Sequence, residues 1–277
     1  MTHHCARLIV VAIATVSFST PITAQQEPTS PPTVETLVET LRGNVNQNEQ
    51  GEVVEVYLSR TRVTDADLAH LAGSHALQVL DLSRTRITGS GLAHLAGLTA
   101  LEVLRLGNTQ VTDAGLEYLA EFPALERLTL ADTPITDAGL AHLTGLTALE
   151  SLWLIGTQIT DAGLANLTGL TALKTLYLAD TQITGPGLAH LAGLPVLETL
   201  GLWNTQIADA GVAELQKALP NCGIVLQAPI LDPIFIPPVP VDPLLLRHDA
   251  KGGSFYPPLS SAVSPRSDRR RSARWLG

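Results

Sequence analysis

The chain has 277 residues, of which 45% are apolar but only 4% aromatic, and its formal net charge is −9. That apolar content excludes a wholly disordered chain, two cysteines exclude a disulfide scaffold, and the acidic balance excludes a generic nucleic-acid binder. With so few rings, Leu, Ala, Val and Ile must fill the interior almost alone, which suits thin repeated layers better than one deep core.

Residues 1–24 have the three zones of a secretory signal peptide: a positive Arg7, an apolar run from Leu8 to Phe18, and a small residue, Ala24, before the expected cut at Gln25. The apolar run is shorter than the roughly twenty residues a spanning helix needs. No integral membrane span is therefore expected once the signal is removed, and the expected location is secreted, periplasmic or cell-surface. Residues 25–52 read as a linker and an N-terminal capping helix, because Val34, Leu37, Val38 and Leu41 share one helical face.

From Val53 to Pro220 the sequence repeats seven times with a period of 24 residues. One unit, Leu125 to Ala148, reads LERLTLADTPITDAGLAHLTGLTA. A period in the twenties headed by L-x-x-L-x-L is the leucine-rich repeat signature, in which a single unit cannot bury its own apolar face. Leu125, Leu128 and Leu130 alternate as a short inward-facing strand would, and Ile135, Leu140, Leu143 and Leu146 fill the rest of the layer. The step Thr136-Asp137-Ala-Gly reads as a helix start, so the aspartates Asp65, Asp113, Asp137, Asp161 and Asp209 are expected to serve as helix caps. Thr61, Thr85, Thr109, Thr133, Thr157, Thr181 and Thr205 form a column whose hydroxyls should bond backbone groups in a stacked ladder. With the short strand Pro220 to Leu226 as a C-terminal cap, the repeat domain is expected to cover residues 53–226.

On these units the chain resembles the extracytoplasmic leucine-rich repeat proteins of bacteria, in particular those whose units end T-x-I/V-T-D-x-G-L-x-x-L. More distantly it is similar to the repeat arrays of F-box and related ubiquitin-ligase receptors. The resemblance implies an α/β fold: a right-handed horseshoe solenoid with a parallel sheet on its concave face and short helices on its convex face. It also implies a non-catalytic scaffold that binds a protein. A polysaccharide-binding surface protein and an F-box-type adaptor are the alternatives, the second needing the export signal to be misread.

Function must come from residues that vary between units, because the repeat consensus is structural. Place five of each unit should point out of the concave sheet. It carries Tyr57, Asp81, Arg105, Thr129, Trp153, Tyr177 and Gly201, and place seven of the last unit adds Trp203. Strands about 4.8 Å apart would bring Trp153, Tyr177 and Trp203 into one solvent-facing strip, a pattern typical of binding hot spots. Tyr57, Asp81 and Arg105 complete the candidate partner-binding row. Arg60, Arg62, Arg84 and Arg86 recur at places eight and ten of the first two units and form a candidate basic patch.

Other columns carry less. His70, His94, His142 and His190 recur on the return segment without converging ligands, so no metal site is expected. No phosphate loop, nucleophile elbow or dinucleotide fingerprint occurs, so neither an enzyme nor a cofactor is expected, and nucleic acid is not an expected partner. Residues 227–277 hold half of the prolines and end in an arginine cluster, and are expected to form a disordered tail with a basic end.

Overall fold

A computed structural model describes residues 33–228. The expected signal peptide at 1–24, the first part of the linker, and the tail from residue 229 onward lie outside the described residues.

The fold follows from the inability of one unit to bury both sides of its apolar layer. Nine strands form a single sheet in sequence order, from β1 (Asn44–Gln47) and β2 (Val53–Tyr57) to β8 (Thr199–Gly201) and β9 (Gly223–Val225). Between them lie β3 (Val79–Asp81), β4 (Val103–Arg105), β5 (Arg127–Thr129), β6 (Ser151–Trp153) and β7 (Thr175–Tyr177). From β2 onward every pairing is parallel, and each residue faces the residue 24 places ahead, as Leu80 faces Leu104. The repeat period in the sequence is thus the register of the sheet. Each strand returns through short helical segments, including α2 (Gly89–Leu92), α3 (Asp137–Leu140) and α4 (Asp161–Leu164), or through 3₁₀ segments such as Asp65–Leu71, Asp113–Glu121 and Gly185–Gly193. Between sheet and return segments runs one continuous core, in which the repeat leucines are almost wholly buried. Phe122 takes a leucine place and is the largest fully buried side chain.

The first helix, α1 (Val34–Thr40), starts at Thr33, whose hydroxyl accepts from the Thr36 amide, and buries Leu37 and Val38. It stops where Arg42 enters the left-handed region at φ 59°, and the Gly43 amide then bonds the Val38 carbonyl. The chain next forms β1, which pairs antiparallel with β2 and covers that edge of the sheet. No strand is expected at this place from the sequence, because β1 is Asn-Val-Asn-Gln and only Val45 packs against the core. At the other end, α5 (Asp209–Ala218) precedes β9, and Cys222 is buried beside them, with its thiol pKa pushed up by that burial.

Two columns differ from expectation. The threonine hydroxyls bond backbone as expected but form no ladder between layers: each donates to the leucine carbonyl three residues back in its own unit, as Thr109 Oγ1 does to Leu106 O at 2.6 Å. They close the turn after each strand. The aspartates, conversely, do bridge layers. Asp137 accepts from both the amide and the hydroxyl of Thr160 in the next unit, at 2.8 and 2.5 Å. Asp65, Asp113 and Asp161 hold Thr88, Thr136 and Thr184 in the same way. The threonine caps the helix: Thr160 Oγ1 accepts from the Ala162 amide at 3.3 Å while donating to Asp137. Burial pushes the Asp65 carboxyl upward, but hydrogen bonds from Thr88 and Ser90 outweigh it and hold its pKa below the ordinary value.

This clasp explains the glycine three places after each clasped threonine. A Cβ at Gly91 would lie 2.5 Å from Asp65 Oδ1, and Gly139, Gly163 and Gly187 abut Asp113, Asp137 and Asp161 in the same way. The first unit has no predecessor and needs no such clearance. There the equivalent residue is Asp67, which turns back to bond the amide and hydroxyl of Thr64. Two junctions lack the clasp, because glycine stands in the aspartate place at Gly89 and Gly185.

Asp137→Ala should therefore cost about 2 kcal/mol or more in denaturant unfolding, since both lost bonds are charge-assisted. Gly163→Ala should cost about 1–3 kcal/mol by overpacking. The double substitution should be less destabilised than the sum of the two, by about 1 kcal/mol or more, because the clash disappears with the carboxylate. Strict additivity would refute the clasp.

Candidate functional site

The open face of the sheet carries place five of every unit in one row, Tyr57, Asp81, Arg105, Thr129, Trp153, Tyr177 and Gly201, each residue facing the next across the ladder. Thr129 divides the row into a charged half and an aromatic half.

In the aromatic half, Trp153 and Tyr177 meet edge to face with ring centroids 5.2 Å apart, and Tyr177 meets Trp203 at 5.6 Å. The third ring reaches the row because Gly201 has no side chain. A Cβ there would lie 2.5 Å from Trp203 Cζ3 and would also strike the Tyr177 ring. Tyr177 and Trp203 are half-exposed. Trp153 is not solvent-facing as expected: it is only 9% exposed, and its Nε1 donates to Ser151 Oγ at 3.1 Å. Tyr177 leans against it from the neighbouring strand, so Trp153 supports the strip while the other two rings present it. Neither the Tyr177 hydroxyl nor Trp203 Nε1 bonds another described residue, which leaves both polar tips open.

In the charged half the groups satisfy one another. Arg105 Nη1 approaches Asp81 Oδ2 at 3.5 Å, and Asp81 Oδ1 accepts from the Ser83 amide. Arg105 therefore does not join the free arginines of the basic patch. The Tyr57 hydroxyl donates to Glu55 Oε2 at 3.2 Å. Burial, then the Glu55 charge, pushes the Tyr57 pKa up to about 12.

Arg60, Arg62, Arg84 and Arg86 lie exposed along the loop edge of the sheet. Place eight is left-handed in all seven units, with φ between 55° and 68° at Arg60, Arg84, Asn108, Asp132, Gly156, Asp180 and Asn204. The conformation brings each place-eight amide from Arg60 to Asp180 onto the place-seven carbonyl of the next unit, as Arg84 N bonds Gly107 O at 2.7 Å. Asn, Asp and Gly tolerate that geometry, whereas for other residues it costs roughly 1–2 kcal/mol. Arginine stands there only at Arg60 and Arg84, and Arg42 beside them shares the same φ. Arg42 was missed in the sequence because it falls in the capping segment rather than in the repeat frame. The signal was present in Arg42-Gly43, a helix stop. Two adjoining grooves run along this edge, one of about 800 Å³ beside Arg62, Arg84 and Arg86 and one of about 560 Å³ beside Arg42, Arg60 and Arg62.

The histidines His70, His94, His142 and His190 lie at or near the surface of the return segments. Among the described residues no group of three or more His, Cys, Asp or Glu is placed to hold a metal ion, and no helix is long and apolar enough to cross a membrane.

A raised phenol pKa means that the fold favours the neutral form. Its contribution is present below the ordinary tyrosine value of 10.0 and is lost as pH rises towards about 12. Burial shifts Tyr177 in the same direction. Unfolding free energy should therefore fall across that window, and Tyr57→Phe with Tyr177→Phe should flatten the fall, as read from urea titrations at successive pH values.

Comparison with known proteins agrees with this geometry. The sequence model described as Leucine Rich repeat matches residues 73–96 and 97–120. Internalin C2 from Listeria monocytogenes is similar in structure, with a TM-score of 0.53 at 29% identity, over 62% of this chain and 70% of that one. The ectodomain of the Arabidopsis receptor kinase HAESA, solved with a peptide hormone ligand, aligns with a TM-score of 0.49 at 21% identity, over 66% of this chain and 35% of that one. No curated protein matches the chain. With 24-residue units forming one parallel ladder backed by short helices, and two of those units matched by the repeat model, the chain folds as a leucine-rich repeat solenoid.

Proposed function

We propose that the chain is a non-catalytic protein-binding module, exported to the cell envelope or exterior, whose partner docks on the open sheet face at Tyr177 and Trp203. Leucine-rich repeat arrays generally serve as protein-interaction modules. The observation that carries the placement is the gap at Gly201, over which two half-exposed rings converge with their polar tips unpaired. Rings braced from behind lose little freedom on binding, and Trp153 supplies the brace. The export reading rests on the three-zone segment at residues 1–24.

The test is capture from an envelope fraction, followed by affinity measurement on the captured protein. Tyr177→Ala with Trp203→Ala should weaken binding by about 30-fold or more, the scale of an interface hot spot. Trp153→Ala should also lower stability, by about 3 kcal/mol, since it empties a buried site. Unchanged affinity in the double variant would remove the strip from the interface. An intact residue 1 on the purified native protein would remove the export reading.

A further inference from the structure

We infer that the arginine-lined edge at the N-terminal end of the solenoid is a second docking surface, built for a short acidic peptide segment of a protein partner. Five guanidinium groups, on Arg42, Arg60, Arg62, Arg84 and Arg86, border two adjoining grooves that no described Asp or Glu lines. None of the five makes a salt bridge within the described residues, whereas Arg105, Lys174 and Lys217 each do, and Arg127 lies within electrostatic reach of Glu102. Three of the five occupy left-handed backbone positions where an uncharged Asn or Gly would fit without strain. A charge held at a conformational cost is one the edge uses.

The surroundings select the occupant. Residues 33–228 carry nine basic and twenty-one acidic side chains, so the surface beyond this edge repels polyanions. At roughly 4.8 Å per layer the patch spans about 10 Å, or three residues of extended chain. A nucleic acid or a sulfated glycan is anionic along its whole length and would run from the patch onto acidic surface. A protein can confine its carboxylates to one segment. The walls suit a peptide too, since Thr61, Thr64 and Leu41 offer methyl groups and hydroxyls between the guanidiniums. The net charge of residues 229–277, seven basic side chains against four acidic ones, does not complement the patch.

The surface is independent of the aromatic strip, and the experiment separates the two. Fluorescence anisotropy with a labelled hexapeptide of alternating Asp and Glu, on the full chain, should show binding that weakens about tenfold or more between low and high salt. Arg60→Asn with Arg84→Asn should weaken it about tenfold while raising Tm by a few degrees, roughly 2–4 °C per relieved residue. Arg62→Gln with Arg86→Gln should weaken it similarly without the gain in Tm, and Tyr177→Ala with Trp203→Ala should leave it unchanged. Absence of peptide binding at low salt would overturn the inference. So would binding of a heparin hexasaccharide but not the peptide, or peptide binding that survives both arginine pairs.

Discussion

What sets the spacing of this molecule is a carboxylate shared between layers. Each bridging aspartate receives the amide and hydroxyl of a threonine in the next unit, and that threonine in turn starts the next short helix. The sheet side of the layers is fixed by the ladder, but the helical side has no ladder of its own. Without the clasp, the return segments would be held by leucine packing, which is non-directional, and by single backbone bonds such as Gln158 N to Ile135 O at 2.9 Å. The clasp supplies direction there, and the glycine beside it clears the space in which the carboxylate sits. A motif that looks like local capping is therefore an interlayer device, and its local form survives only in the first unit, at Asp67 and Thr64.

Once the layers are fixed, variation is confined to a few places, and the two candidate surfaces use it differently. On the open face, large rings are added and one side chain is subtracted, so that residues from three units share one patch. Along the loop edge, arginine is placed on a backbone geometry that disfavours it. The first device works by packing; the second accepts local strain. Natural proteins depart from local consistency chiefly where function requires it.

The fold was legible because the period of the sequence is the register of the sheet, so one residue in a unit fixes its neighbours in all the others. The candidate row was legible for the same reason. What escaped depends on directions that the period does not encode. The partner of Asp137 is 23 residues away, and nothing in the local string Thr-Asp-Ala-Gly distinguishes a bond to its own helix from one to the next. Trp153 shares place five with Tyr177, yet one ring is buried and the other half-exposed, because a side chain leaning across a strand covers only one of its neighbours. Strand β1 escaped because it is held by backbone pairing and carries almost no apolar pattern.

The missing clasps at Gly89 and Gly185 make the array a chain of unequal links. In a one-dimensional assembly, cooperativity is set by the coupling at each junction, and the weakest junctions bound the blocks that open together. At both gaps the backbones come close, Gly89 against Gly115 and Gly185 against Gly211, so packing stands where the bonds are lost. At the second, glycine stands in the aspartate place and alanine in the threonine place, at Gly185 and Ala208. The edge contact of Tyr177 with Trp203 crosses that same junction. The rings proposed to meet a partner are thus also part of what holds the last repeat to the rest, and a ligand gripping both would splice the two blocks into one.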